Sequence, residues 1–371
     1  VTFRDHLGAL PMDALLDVAA HATPAAVERA LSAGRPDLVD FAALLSPAAA
    51  ERLEDLARRS RRITESRFGR TVQLYAPLYV SNECVETCTY CSFSRPNPIA
   101  RRTLPVPEVV AEARLLRMRG FRHLLLVSGE HPRHVSPAYL EEVIRALAPS
   151  FPSLSVEVQP QTVDVYRRWV EAGCDGLVVY QETYDRAAYA AVHLAGKKKD
   201  YDWRLETPER GAAAGFRRIG IGALLGLADW RLEGVHLAAH ARFLARRHWR
   251  SIVTVSFPRL RPAEYADARP KRPVSDADLV QLVCAMRIFL PDSGLVLSTR
   301  ESASLRDGML RLGITHMSAG SRTEPAGYSQ PAESGRQFEV EDGRTPAEVA
   351  EAVRSAGYDP VWKDWEAVLH G

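Results

Sequence analysis

The chain contains no uninterrupted apolar run of about 18 residues, so no membrane-spanning helix is expected. It also lacks a surplus of either charge. Its formal net charge of +2 creates no global field that would draw it to nucleic acid or an anionic bilayer, and neither is expected as a partner. Two basic clusters, Arg58 to Arg62 and Gly196 to Asp200, are short, and the first reads as a solvated face. The chain starts VTFRDHLGALPMDALL, with no basic flank followed by an apolar segment and a small-residue cleavage site, so a cytoplasmic location is expected. Cysteine is scarce. There are five, an odd number, and a disulfide framework is the weaker reading of them. No low-complexity tract or sharp break in composition divides the 371 residues.

What the chain does have is rhythm. From about residue 74 onward, short β-rich runs alternate with polar turns and helix-period stretches. The strand candidates are Leu74–Ser81, His123–Glu130, Leu154–Pro160, Gly176–Glu182, Arg218–Gly226, Ile252–Leu260, Gly294–Glu301 and Ile314–Gly320. Gly120, Gly173, Gly215 and Gly313 read as helix stops. Apolar strands alternating with helices imply βαβ units and a parallel sheet, and eight such units close into an α/β fold of the TIM type, a (β/α)8 barrel. Residues 1–73 read as a helical N-terminal layer, with Thr23-Pro24 and Ser46-Pro47 opening two of its helices. Residues 74–320 form the barrel and 321–371 a capping tail with a helix near TPAEVAEAVRSAG, in which Trp362 and Trp365 are packing anchors.

Such barrels carry their chemistry where strands run into the following loops. Glu130, Glu157, Glu182, Arg259, Arg261, Arg300 and Glu301 all fall there, and buried charges need partners, which a polar ligand would supply. Arg259 and Arg261 read equally as substrate-side charges or as partners for Glu157. The first strand runs into NECVETCTYCSF, which places Cys84, Cys88 and Cys91 in a C-x3-C-x2-C pattern. Thiolates are soft ligands suited to zinc or iron–sulfur clusters. A structural zinc ion wants four ligands, and the loop offers three, with Cys174 or a distant histidine left to complete the set. Three thiolates also suit a [4Fe–4S] cluster with one iron open. Cys174 and Cys284 read as small buried residues.

The cysteine loop resembles that of the radical S-adenosylmethionine (SAM) enzymes, and the resemblance implies a [4Fe–4S] cluster on Cys84, Cys88 and Cys91 with SAM on the open iron. VSGEHP resembles the superfamily's Gly-Gly-Glu segment, with Ser128 in place of the first glycine and Gly129 and Glu130 matching. Tyr90 matches the aromatic position near the adenine. Over the barrel and beyond it, CTYCSFSRPNPIARRTL, HLLLVSGEH, VEVQP, VYQETY, GKKKDYDWRLETPER, IGIGALLGLADWR, SFPRLRP, LSTRES and PVWKDW resemble the 2-iminoacetate synthases, tyrosine lyases of thiamine biosynthesis.

That resemblance implies cleavage of the Cα–Cβ bond of L-tyrosine to 2-iminoacetate and p-cresol. It also implies a thiazole synthase partner and reduced flavodoxin or ferredoxin as electron donor. Glu157, Glu182 and Arg204 would face SAM, and an ion pair of Arg204 with Glu206 or Glu209 is the alternative that spacing leaves open. Gly220, Gly222 and Gly226 would admit the adenosyl group. Arg300, Ser318 and Ser321 would take the tyrosine carboxylate. A tryptophan lyase and a zinc-stabilised scaffold are the competing expectations. A second-cluster maturase is not expected, because no cysteine follows Cys284.

Overall fold

The computed structural model of the chain describes residues 2–267, 269–331 and 335–363. Eight parallel strands form the barrel: β1 Thr71–Ser81, β2 His123–Ser128, β3 Ser153–Glu157, β4 Gly176–Glu182, β5 Arg218–Ala223, β6 Ile252–Ser256, β7 Gly294–Leu297 and β8 His316–Ser318. They pair in chain order, and β8 closes on β1 through Gln73 with His316, Leu74 with Met317 and Tyr75 with Ser318. The strands read as continuous apolar runs because both faces are covered, β2 being buried at every residue.

The helices follow as the sequence pattern requires. Val106–Met118, Pro137–Leu147, Val163–Glu171, Thr207–Ala214, Trp230–Arg247, Asp276–Phe289 and Ala303–Met309 alternate with the strands. Gly120, Gly173, Gly215 and Gly313 all adopt the left-handed backbone expected of helix stops. β1 starts three residues before its predicted edge, and several predicted strands overshoot at their C-terminal ends: β3 stops at Glu157, β5 at Ala223, β6 at Ser256 and β7 at Leu297. The apolar pattern continues past those points, but there the backbone leaves the ladder to line a cavity.

The N-terminal layer is helical from Phe3 to Phe68. Thr23 and Ser46 cap their helices through their hydroxyls, at 3.3 and 3.2 Å. The pattern from Ser46 to Gly69 is two helices rather than one, Pro47–Ala50 and Leu53–Phe68, with Arg52 capping the second by its carbonyl. The second helix runs against Asp276–Phe289, where Ser60 donates to the Leu312 carbonyl at 2.6 Å.

The tail does more than cap. Thr345 opens the helix Pro346–Ser355 with a capping box, and Asp359–Val361 then adds to the foot of β1. Trp362 packs edge-on to Phe121 with ring centroids 5.2 Å apart, as an anchor should, whereas Trp365 lies outside the described residues. Cys174 and Cys284 are buried, with thiols on the carbonyls of Leu154 and Leu312. Arg306 and Asp342, both fully buried, pair and tie the tail to the barrel. Removing one member of such a pair leaves the other charge uncompensated. Asp342→Ala is therefore expected to cost about 3–5 kcal/mol, read as a lowered midpoint in urea unfolding. An unchanged midpoint would show that the tail does not depend on this pair.

Candidate active site

The three cysteines lie on the loop that leaves β1, and their neighbours fix its path. Gly129 donates its amide to Ser81 O at 3.0 Å, and Val85 donates to Glu130 O at 2.9 Å, so the loop is sewn to the end of β2. The Arg101 guanidinium donates to the carbonyls of Asn82, Phe93 and Ser94 at 2.7–2.8 Å, gathering the loop's two ends. A short antiparallel ribbon pairs Thr87–Cys88 with His193–Ala195. Beside it the Glu86 carboxylate accepts the amides of Lys197 and Lys198 at 3.0 and 2.8 Å. Gln337, from the tail, places its amide nitrogen 3.8 Å from Cys91 Sγ and accepts from the Tyr79 hydroxyl at 2.7 Å. A curled loop without regular structure is held in this way by hydrogen bonds from four separate segments.

All three cysteines open onto one cavity at the C-terminal end of the barrel. Ser128, Gly129, Glu130, Glu157, Glu182, Tyr90 and Arg204 line it on one side, and Arg300, Ser318 and Ser321 on the other. On the first side a buried ion network links the end of β4, the loop after β2, the turn Lys197–Lys199 and the short helix Tyr201–Leu205. Arg204 pairs with Glu130 at 3.0 Å and with Glu182 at 3.5 Å, and its Nε donates to Tyr180 O at 2.7 Å. Lys198 pairs with Glu182 at 2.8 Å. Burial would raise the pKa of Glu182, but Lys198 and Arg204 hold its carboxyl down at about 2. Glu182 also carries a positive φ of 69°, a strained backbone for a residue with a side chain, at the irregular end of β4. Tyr90 hydrogen-bonds His193 Nε2 at 2.9 Å, with the rings edge to face.

The opposite side is less satisfied. The Arg300 guanidinium lies 3.3 Å from the centre of the Phe338 ring and has no ion-pair partner among the described residues. Ser318 Oγ accepts the Thr299 amide at 3.0 Å. The buried hydroxyls of Ser321 and, across the cavity, Ser128 have no partner among the described residues. Glu157 has neither an ion pair nor a hydrogen bond there, and burial together with Glu182 pushes its carboxyl up to about 7, against the pull of Arg300, Lys198 and Arg204.

These donors fit an iron–sulfur cluster better than a single ion. A tetrahedral zinc ion would gather its thiolates to about 3.8 Å from one another. Among the described residues, the only three Cys, His or carboxylate ligand atoms within 4.8 Å of one another belong to Glu83, His131 and His134, so the three thiols that line the cavity are not gathered that closely. Burial and the Glu130 charge push the Cys84 thiol up to about 12, and burial raises Cys88 and Cys91 as well, a cost that a bound cationic cluster reverses. The empty hydroxyls of Ser128 and Ser321 fit a polar organic cofactor and substrate in the same cavity.

Three expectations need correction. Gly222 does not line the cavity: a Cβ there would sit 2.8 Å from both the Tyr180 ring and Ser256 O, so its smallness serves Tyr180, which does line it. Gly220 faces a lower chamber, and Gly226 packs on Leu260 and Pro270. Arg259 and Arg261 are not partners of Glu157, because Arg259 binds Glu301 in a fork at 3.0–3.1 Å and Arg261 binds it at 3.2 Å. Arg204 pairs with Glu130 and Glu182 at the ends of β2 and β4, and not with Glu206 or Glu209 on its own segment. Sequence reasoning missed Lys198, His193, Gln337 and Phe338. The GKKKD cluster carried a signal for Lys198, but spacing does not choose among three adjacent lysines.

Comparison with known proteins is consistent over nearly the whole chain. The radical SAM superfamily model matches residues 78–237, and the Biotin and Thiamin Synthesis associated domain model matches 256–359. The chain is 47% identical over 348 residues to the 2-iminoacetate synthase of Escherichia coli (strain K12), covering 94% of this chain and 92% of that protein. It is 46% identical, with the same coverage, to the 2-iminoacetate synthase of Salmonella typhimurium. Among solved structures, HydG, a maturase of the [FeFe]-hydrogenase, superposes with a TM-score of 0.89 at 33% identity, over 95% of this chain and 79% of that one. Methylornithine synthase (PylB) shares the fold, with a TM-score of 0.71 at 20% identity over 91% of this chain and 97% of its own.

The loop geometry makes one prediction. A Cβ at Gly129 would run into the Glu83 carbonyl and touch Cys84. Gly129→Ala is expected to cut the iron bound after anaerobic reconstitution to well under half, with the far-ultraviolet spectrum of the barrel retained. Full iron content would contradict this account of the loop.

Proposed function

The chain belongs to the 2-iminoacetate synthase family of radical SAM enzymes, and on that premise we propose that it cleaves the Cα–Cβ bond of L-tyrosine to 2-iminoacetate and p-cresol. The observation that carries the reading is one cavity lined by three thiols, with a filled ion network on one wall and, on the other, Arg300, which meets no carboxylate among the described residues.

Cys84, Cys88 and Cys91 would hold the [4Fe–4S] cluster. When bound and reduced, the cluster and SAM supply a 5′-deoxyadenosyl radical. The chain's own residues then have to bind, orient and exclude. Glu130, Glu182, Lys198 and Arg204 present two acids and two bases at fixed positions, a surface matched to a ligand that carries both an ammonium and a carboxylate. Ser128 and the backbone at Gly129 add hydrogen-bonding groups beside them. Glu157 adds a carboxyl whose charge responds to what binds. Tyr90 lines the cavity, its ring fixed by His193.

Arg300 would take the tyrosine carboxylate, because a planar guanidinium grips a carboxylate through two parallel hydrogen bonds. The Ser321 hydroxyl is free to join it, while Ser318 holds the Thr299 amide and so the Arg300 segment. Orientation is the task that matters, since a misplaced substrate exposes a C–H bond to the radical in place of the amine. Thiazole synthase as the recipient of 2-iminoacetate, reduced flavodoxin or ferredoxin as the donor, and a cytoplasmic setting complete the proposal. No helix among the described residues is long and apolar enough to cross a membrane.

The test is anaerobic incubation of the reconstituted protein with SAM, L-tyrosine and dithionite. Formation of p-cresol and 5′-deoxyadenosine is expected, and 5′-deoxyadenosine without p-cresol would refute tyrosine cleavage. Cys88→Ala is expected to lose the cluster and all SAM cleavage. Arg300→Leu is expected to keep the cluster and tyrosine-independent SAM cleavage but to lose p-cresol by at least about 100-fold, as for loss of a charged pair worth roughly 3 kcal/mol.

A further inference from the structure

TIM-type barrels fill their interior with layers of branched apolar side chains. The layer beneath the reaction cavity of this barrel departs from that rule. A second chamber of about 40 Å³ is lined by His123, Ser155, Arg218, Thr254, Ser256 and His316, among other residues. Tyr75, Leu125, Val178 and Tyr180 line both chambers and form the collar between them.

The strand registers fix the vertical relation. Ser155 lies two residues below Glu157 on β3, Val178 two below Tyr180 on β4, Val296 two below Ser298 after β7 and His316 two below Ser318 on β8. Side chains two apart share a face, so the chamber lies one same-face step, about 6.6 Å, below the residues assigned to SAM and the amino-acid head group. A para-substituted phenyl ring is long enough to span that step.

Space in the chamber is built in. A Cβ on Gly220 would fall 2.9 Å from Val178 and 3.1 Å from Thr254 Oγ1, and one on Gly176 would strike Ser155. The polar groups are linked to one another, and Ser155, His316 and Thr254 keep hydrogen-bonding capacity beyond the bonds they make. Arg218 donates to His123 at 2.9 Å, and His123 Nε2 lies 3.3 Å from Ser155 Oγ. His316 uses Nδ1 on Thr315 at 2.8 Å. The Thr254 hydroxyl has no hydrogen bond among the described residues. Burial and then Arg218 push the His316 imidazole down to about 3, and the same causes hold His123 well below its ordinary value, so both rings are neutral.

We propose that the side chain of the amino-acid substrate passes the collar and delivers its para-hydroxyl to this chamber, with Ser155, Thr254 and His316 as the groups that select a phenol over an unsubstituted phenyl ring. The inference rests on the tyrosine-lyase reading and deepens it. Substrate held by its carboxylate on Arg300 and by its hydroxyl one layer below is fixed at both ends. A site built to hydrogen-bond a hydroxyl rejects the analogue lacking it far more strongly than an apolar pocket rejects a size change.

The experiment is anaerobic equilibrium dialysis of the reconstituted, SAM-loaded enzyme with L-tyrosine or L-phenylalanine, with p-cresol measured in parallel. The wild type is expected to prefer tyrosine by at least about 100-fold. Thr254→Val and Ser155→Ala are each expected to cut that preference about tenfold, with phenylalanine affinity and the cluster absorbance unchanged. Ser155→Ala carries the test should Thr254→Val fail to load its cluster. Equal binding of the two amino acids by the wild type, or an unaltered preference in a loaded variant, overturns the proposal. Tyrosine preference without p-cresol would instead refute the cleavage reading and leave the chamber's role standing.

Discussion

The constraint on which the rest of the molecule depends is the burial of two carboxylates, a guanidinium and an ammonium at the top of one barrel. Glu130 follows β2, Glu182 ends β4, Lys198 sits in the turn Lys197–Lys199 and Arg204 on the short helix Tyr201–Leu205, and none of these buried charges is tolerable without the others. The pairing therefore dictates where β2, β4 and the segments after β4 must end. It also accounts for the left-handed backbone at Glu182, since the carboxylate reaches Lys198 and Arg204 from that strained position. The cysteine loop is locked to the same frame through Val85 on Glu130 O and through Glu86 on the Lys197 and Lys198 amides.

Across the cavity the electrostatics are deliberately incomplete. Arg259 and Arg261 are committed to Glu301, and Arg306 and Arg344 to Asp342, so the structural cations are neutralised close to where they sit. Arg300 rests on the face of Phe338 and meets no carboxylate among the described residues. A filled network faces an unfilled cation, and in the proposed reading the first wall would receive the zwitterionic cofactor and the second the amino acid's carboxylate. The polar layer below then gives the cavity depth along the barrel axis.

Much of this was legible in the sequence, for identifiable reasons. Strands covered on both faces read as apolar runs, and helices read by their caps and glycine stops, so the barrel and its order followed from periodicity. C-x3-C-x2-C and Ser-Gly-Glu are local motifs, and local motifs survive without coordinates. What stayed hidden were relations across the fold. Lys198 is one of three adjacent lysines, and its ion pair with Glu182 is a contact across the fold that spacing does not encode. Gln337 and Phe338 lie in a tail whose path over the cavity no period encodes. Gly222 was read as space for a ligand because glycine says only that something comes close, and here that something is Tyr180. The partner of Arg259 was open for the same reason, since two acids on different strand ends look alike until the barrel closes.

The most direct measurement is an anaerobic crystal structure of the cluster-loaded chain with SAM and L-tyrosine. The account predicts three thiolates from Cys84, Cys88 and Cys91 on the cluster, the SAM head group beside Glu130, Glu182 and Arg204, and the tyrosine carboxylate in a fork on Arg300 with its ring directed down the barrel. Tyrosine bound with its carboxylate away from Arg300, or a cluster held by any other set of ligands, would contradict it.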